Sequence, residues 1–442
     1  MSEAWSLAFL AAIVVTVVGA SRQDIFRGLF RWLPIPLWCY LLPLAAQALG
    51  WISPDPAIYS ALTTHLLPLA LGCLLLGADL PSFLRTGRPA VMAMAIGALG
   101  VVIGTPLGVW CLQRALGPEA WKGAGALAAT WTGGTMNLLA VRTILATPDT
   151  LFASLVVVDA VVAYGWMACL VAASGFREPL NRWLRASSAM HPAPGGSEAT
   201  ASSGAAQLPS RHGTALHCLF TPRNHGSATE ARRRLLKDFS VSLWNSVASV
   251  VSRGNVEHYT RHLRALIACG VSALGLTVAA RLAAAHLPAS RFVSSATGWT
   301  VLLVTTAALG LSLLPAVRRI AERGGAVGYP CLYLVLAATG AQASLQALWS
   351  APAWLLVGAA TLLLHGLLLL VAGRLARIPF GVLATASQAN VGGLVSAPLV
   401  GALYHTSLAP VGLLLAMAGN AVGTYLGLFS AGLCRWLLGG AP

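Results

Sequence analysis

Two segments of this 442-residue chain place amides and hydroxyls beside paired glycines inside apolar runs. The first is Ala128-Ala-Thr-Trp-Thr-Gly-Gly-Thr-Met-Asn137; the second is Ala384-Thr-Ala-Ser-Gln-Ala-Asn-Val-Gly-Gly393. A glycine pair lets a transmembrane helix unwind, and unwound backbone is tolerated at membrane depth only where it is buried or lines a cavity. Interrupted helices at matching positions of two halves are the best sequence pointer to a transporter site. Their half-helix N-termini favour anions, and their freed carbonyls favour cations. The expected contacts to substrate or ion are Thr132, Gly133, Gly134 and Asn137 in the first segment. In the second they are Ser387, Gln388, Asn390, Gly392 and Gly393. The plainer alternative is small-residue helix packing, with Thr and Ser bonded to their own backbone.

Asp159 is the sharpest single residue. It follows Leu155-Val-Val-Val158 near the middle of an apolar run. A charge at that depth costs about 2.5–3.5 kcal/mol on insertion scales. Such residues face polar interiors and bind ions or relay protons. The alternative is a structural hydrogen bond, to Thr132 or Asn137. Asn420 stands at the equivalent place in the second half. Asp79 and Gln342 are secondary candidates; Asp79, followed by Pro81 and near Arg85 and Arg88, reads as an interfacial ion pair or helix-end cap. Arg142 is expected to snorkel. His65 and His365, alone in apolar helices, read as packing residues.

Several chemistries are excluded. No G-x-S-x-G, H-E-x-x-H or G-x-x-x-x-G-K-[ST] motif is present, so neither an enzyme nor an ATP-driven pump is expected. The eight cysteines include no C-x-x-C pair, which gives no zinc or disulfide framework. No cofactor is expected beyond a coupling Na⁺ or H⁺, and no metal beyond Na⁺. The net charge of +15 would fit nucleic-acid binding. Eleven of the 28 Lys and Arg residues, however, lie between Phe176 and Arg261, and most others sit in short loops between apolar runs. Cytoplasmic loops of a membrane protein have that pattern, so no nucleic-acid partner is expected.

The elements that must carry these residues follow from composition. Hydrophobic residues make up 57% and charged residues 9%, too few charges to coat a soluble globule of this length. The fold class is an all-α polytopic membrane protein. Candidate spans of about 20 residues are Ala4–Ala20, Leu33–Ile52, Ala57–Ala78, Pro89–Leu112, Trp121–Leu145 and Leu151–Ser174. After a gap come Leu263–Ala285, Ala296–Leu314, Val327–Leu348, Ala353–Ala372, Pro379–Leu403 and Ser407–Leu438. The chain divides into a first membrane repeat (1–175), a basic linker rich in Ala, Ser, Gly and Pro (176–261), and a second repeat (262–442). Within the linker, Ser187–Ser210 reads as flexible. Leu235–Ser252, opened by Arg232-Arg-Arg234, reads as an interfacial helix or a solvated loop element.

The halves repeat. Asp159-Ala-Val-Val-Ala-Tyr164 recurs as Asn420-Ala-Val-Gly-Thr-Tyr425; Gly77-Ala-Asp79 recurs as Gly340-Ala-Gln342; Gly133-Gly134 recurs as Gly392-Gly393. The offsets are 261, 263 and 259. Basic loops are out of phase between the copies: Arg22, Arg27 and Arg31 follow the first run, whereas Arg318, Arg319 and Arg323 follow the second run of the later copy. By the positive-inside rule the copies are inverted. Two sets of six spans would instead be parallel. The charges outweigh the count, so a thirteenth crossing is expected between the repeats, with Leu235–Ser252 the nearest segment.

Gly77-Ala-Asp-Leu80, Trp131-Thr-Gly-Gly-Thr-Met-Asn137, Asp159 and Ala386-Ser-Gln-Ala-Asn-Val-Gly-Gly393 together resemble the membrane family catalogued as domain of unknown function 819. The resemblance covers nearly all of the chain outside 176–261. That family is grouped with the cation:proton antiporter and anion transporter superfamily. The resemblance implies inverted repeats, a core with two broken, crossing helices at 131–137 and 387–393, and a separate panel or dimerisation domain. By analogy with sodium/proton antiporters, it also implies an ion-binding acid at Asp159.

The expectation is a secondary active transporter with alternating access. It would have about 12–13 transmembrane helices and move a small organic anion or ion coupled to Na⁺ or H⁺. Its partners would be the bilayer, the solute and a second copy in a homodimer. The plasma or inner membrane is the expected location, with an organellar membrane as the other choice, and the linker lies in the cytosol. The rival reading is a membrane scaffold or assembly factor that moves nothing.

Overall fold

Helix after helix starts where proline or a capping side chain dictates it. In the computed structural model, residues 3–32, 35–52, 56–79, 87–186, 253–290, 293, 295–343 and 351–439 are described. Among them every regular element is helical. The first half holds α1 (Glu3–Ser21), α2 (Arg27–Trp32), α3 (Ile35–Ala48), α4 (Pro56–Leu76) and α5 (Arg88–Cys111). It continues with α6 (Ala120–Gly133), α7 (Thr135–Leu145), α8 (Asp149–Ala173) and α9 (Arg177–Leu184). The second half holds α10 (Arg253–Ala284), α11 (Ala296–Ser312), α12 (Pro315–Ala321), α13 (Gly325–Gln342) and α14 (Ala351–Ala376), then α15 (Phe380–Val391), α16 (Gly393–Tyr404) and α17 (Leu408–Leu437). Pro148 and Pro379 precede α8 and α15, where a missing N–H costs nothing. Ser295 caps α11 by accepting from the Gly298 N–H at 3.0 Å.

Six helical stretches are long and apolar enough to cross a bilayer: Ala57–Leu76, Arg88–Cys111, Asp149–Leu184, Leu263–Ala284, Ala351–Ala376 and Leu408–Leu437. The pair Ala296–Ser312 and Pro315–Ala321 is apolar enough when taken together but is bent by 114° at its break, as a broken span or a re-entrant loop is. The protein is an integral membrane protein. Contacts join Met1–Pro192 and Ala265–Pro442 into one unit. Ala193–Arg264 forms another, of which only the start of α10 is described. That helix begins at Arg253, inside the segment the sequence assigns to the linker. Ser187–Ser210 and Leu235–Ser252 lie outside the described residues.

The glycine segments correct the span count. Trp121–Leu145 and Pro379–Leu403 are not continuous crossings. Each is a helical hairpin that doubles back at its glycines. A Cβ on Gly125 of α6 would stand 3.2 Å from Leu145 of α7. The Lys122 ammonium donates to the Ala146 carbonyl at 3.2 Å. In the second hairpin, Gly381 faces Tyr404, and the Phe380 and Tyr404 rings meet edge-on at 5.6 Å. Arms of 11 to 14 residues are roughly 17–21 Å long, about half to two-thirds of a bilayer core. Gly134 and Gly393 make the reversals, with φ of 78° and 73°. A side chain is disfavoured in that left-handed region.

Direction follows from which residues touch. Gly97 and Gly100 of α5 lie against His365 of α14, Gly104 against Thr361 and Gly108 against Val357, so α5 and α14 are antiparallel. Gly324 meets Cys73 and Gly328 meets Ala70, so α4 and α13 are antiparallel too. Gly125 packs on Gly427 and Gly133 on Gly423, which makes α6 antiparallel to α17. Gly381 faces Leu408 and Gly412 faces Thr385, which makes α15 parallel to α17. The two hairpins therefore enter the bundle from opposite ends. Absent side chains let these backbones approach closely, as in small-residue packing generally.

The helices sort into two packed groups. One holds α3, α4, α11 and α13, with α1 against α3 and α13. The other holds both hairpins with α5, α8, α14 and α17. Arg142 helps join them. From α7 it donates to Thr339 of α13 at 2.9 Å, pairs with Asp149 and lies 4.4 Å over the Phe152 ring.

Candidate functional site

Both hairpin tips reach one cavity of about 670 Å³ between the two groups. Gly134 and Thr135 come from the first tip, and Gly392, Gly393 and Ser396 from the second. Asp159 of α8 and Asn420 of α17 face it from the hairpin group. Tyr329 and Tyr333 of α13 face it from the other. The volume lies within the range of small-molecule sites.

Asp159 is held there by the first hairpin. The Trp131 indole N–H donates to its Oδ1 at 3.0 Å. Trp131 is fully buried, so α6 fixes the orientation of the carboxylate. Among the described residues no Arg, Lys or His pairs with it. A carboxylate without a cation at this depth calls for a proton or a bound positive charge.

Gln388 is the second polar feature. Its Nε2 donates to Ser396 Oγ across the hairpin at 2.9 Å, and its buried Oε1 has no partner among the described residues. A buried amide oxygen left unpaired is costly, and this one lies beneath the cavity wall with no open surface of its own. Asn390, on another face of α15, donates to the Met94 carbonyl at 3.0 Å, and its buried Oδ1 is likewise unpaired.

The remaining candidates from the sequence have other surroundings. Asn137 staples the first tip to α17: it donates to the Gly133 carbonyl at 2.6 Å and the Asn420 carbonyl at 3.1 Å, and accepts from the Thr424 hydroxyl. Thr132 bonds to its own helix at the Ala128 carbonyl, 2.7 Å away. Gly133 packs on Gly423. Ser387 points behind the second hairpin, where Trp166 Nε1 donates to it and His365 Nε2 lies 2.8 Å away. The other nitrogen of His365 is 2.8 Å from the Gly97 carbonyl. That carbonyl can only accept, so Nδ1 carries the proton and Nε2 accepts from Ser387. His365 is thus a fully buried bridge between α5, α14 and α15, more than a packing residue. Asp79 pairs with Arg318 beside α4, and neither Asp79 nor Gln342 lines the cavity.

The structure thus gathers Gly134, Asp159, Gln388, Gly392, Gly393 and Asn420 around one cavity. Thr132, Gly133, Asn137, Ser387 and Asn390 stand behind it. Sequence reading missed Tyr164, Tyr329, Tyr333, Thr135 and Ser396. Tyr164 was legible only as part of the Asp159-to-Tyr164 repeat match.

No curated protein matches this chain. A family described as a protein of unknown function (DUF819) matches residues 7–216 and 241–437. With both stretches of the membrane unit covered, the chain belongs to the DUF819 family.

Proposed function

We propose that the protein is a secondary active transporter that moves a small organic ion by alternating access, coupled to Na⁺ or H⁺ at Asp159. The observation that carries this reading is the meeting of two oppositely directed hairpin tips at one cavity beside an uncompensated carboxylate. Irregular backbone at membrane depth is tolerated where it is buried in protein or lines a cavity, and paired interruptions in two halves point to transporter sites.

Inverted repeats underlie the mechanism. The helices equated by the repeat offsets, α5 with α14 and α4 with α13, run antiparallel, as inversion requires. Their neighbours match in the same way: α3 packs on α13 as α11 packs on α4, and α5 on α17 as α14 on α8. With each glycine segment a hairpin, each repeat holds five crossings. An odd number inverts the second copy, so no thirteenth crossing is needed. The charge bias and the helix count then agree. The hairpins stand in place of the broken, crossing helices that the family resemblance implies at 131–137 and 387–393.

In transport, the hairpin group would move against α3, α4, α11 and α13, exposing the cavity to each side in turn. Asp159 would carry the coupling ion and release it as solute enters beside the tips, so that ion and solute occupy the cavity in turn. The test is reconstitution of the purified chain into liposomes with a trapped pH dye under imposed Na⁺, K⁺ or Li⁺ gradients. A pH change in wild type that is absent in Asp159→Asn is the expected result. Equal responses from both proteins would remove the coupling role.

A further inference from the structure

The charge of the solute is written in what surrounds the cavity. Two hairpin tips aim helix N-termini at it, which would favour an anion. Each tip, however, brings a C-terminus with its N-terminus: α6 ends at Gly133 where α7 starts at Thr135, and α15 ends at Val391 where α16 starts at Gly393. A helix end carries about half a unit charge, positive at one terminus and negative at the other. Within each tip the two contributions roughly cancel. What survives is the full negative charge of Asp159. No Lys, Arg or His is among the described residues lining the cavity.

The other wall is aromatic. Tyr164 stands on α8 with Asp159, and Tyr329 and Tyr333 face them from α13, their rings 6.2 Å apart and tilted by 27°. Phe30 adds a fourth ring. Aromatic faces beside a carboxylate attract an alkylated ammonium group, because ring quadrupoles and the carboxylate act on the same charge. Leu332, Leu336 and Val156 leave room for an apolar body.

We infer that the cavity binds an organic cation, an ammonium group on an apolar body, seated on Asp159 and enclosed by Tyr164, Tyr329 and Tyr333. This names the solute class of the proposed transporter and rests on that reading for its movement, but binding itself is separable from transport.

The probes are benzyltrimethylammonium and phenylmethanesulfonate, which share a benzyl body and carry opposite charges at every pH. Binding is read as thermal stabilisation of the purified full chain, and movement as uptake into proteoliposomes. Benzyltrimethylammonium should stabilise the protein and phenylmethanesulfonate should not. Asp159→Asn should weaken binding at least about tenfold. Asp159→Glu, which keeps the charge, should retain most of it and separates loss of charge from loss of fold. Tyr333→Leu should weaken binding by up to about tenfold, whereas Tyr333→Phe, which keeps the ring, should stay near wild type. Preference for the sulfonate, equal response to both, or response to neither overturns the inference. Uptake of the sulfonate alone would overturn the solute class and leave the transport reading standing. Binding of the ammonium in the predicted pattern without uptake would do the reverse.

Discussion

The Trp131 indole N–H reaches the Asp159 carboxylate across 3.0 Å, linking the arm of one hairpin to the helix that follows it. The acid is thereby set by the hairpin that would move with it. Replacing Trp131 with Phe removes the donor and keeps most of the ring volume. A hydrogen bond to a charged group contributes about 1.5–3 kcal/mol. In Trp131→Phe, stability should fall by that order, and coupled flux in liposomes should drop. In an Asp159→Asn background the same change should cost less, because the two side chains act together. Equal costs in both backgrounds, read by thermal denaturation, would exclude the coupling.

The hairpin tips make a second test. Gly134 and Gly393 adopt φ near +75°, where a Cβ costs about 1–2 kcal/mol. Gly134→Ala and Gly393→Ala should lower flux and stability together. Gly50 has φ of 73° and open space around it, far from the cavity. Gly50→Ala should show a similar stability cost with flux unchanged.

Asn137 and Gln388 should separate structure from ligand binding. Asn137 bonds three partners and does not line the cavity. Asn137→Ala strands buried groups, each costing about 1–3 kcal/mol, so its melting temperature should fall clearly. Gln388 lines the cavity and has one side-chain hydrogen bond, to Ser396 across the hairpin. Gln388→Ala should change stability little and raise the solute concentration needed for half-maximal flux. The opposite division between melting and transport would reverse these roles.

The doubling back of the second hairpin predicts a cross-link. Gly381 and Tyr404 lie side by side, with a Cβ at Gly381 only 2.9 Å from the Tyr404 Cβ. Gly381→Cys with Tyr404→Cys should form a disulfide on mild oxidation, seen as a linked peptide by mass spectrometry. In a continuous helix the two would stand roughly 35 Å apart, and no link would form.

Opposite entry of the hairpins predicts opposite labelling. Gly117 precedes α6, and His405 follows α16; both are exposed. In sealed vesicles of one orientation, an impermeant maleimide should label Gly117→Cys and His405→Cys from different sides. Labelling from the same side would refute inverted entry.

Composition determined the helical membrane class by itself, because 9% charged residues cannot coat a soluble surface of this length. Sequence also located the interruptions, since paired glycines with amides in an apolar run have few other uses. It isolated Asp159 for the cost of placing a carboxylate there, and the basic loops pointed to opposite orientations. It did not distinguish a hairpin from a crossing. Hydropathy records what surrounds a segment, and both arms of a buried hairpin are as apolar as a span. Direction came only from tertiary contacts such as Gly125 with Leu145 and Gly381 with Tyr404. Nor could one sequence divide the polar residues of each tip between cavity and scaffold. Asn137 and Gln388 look alike in composition, yet one faces α17 and the other the cavity. The tyrosines of α13 line the same cavity as Asp159 from more than 160 residues away, because the packing of the two helix groups brings them there.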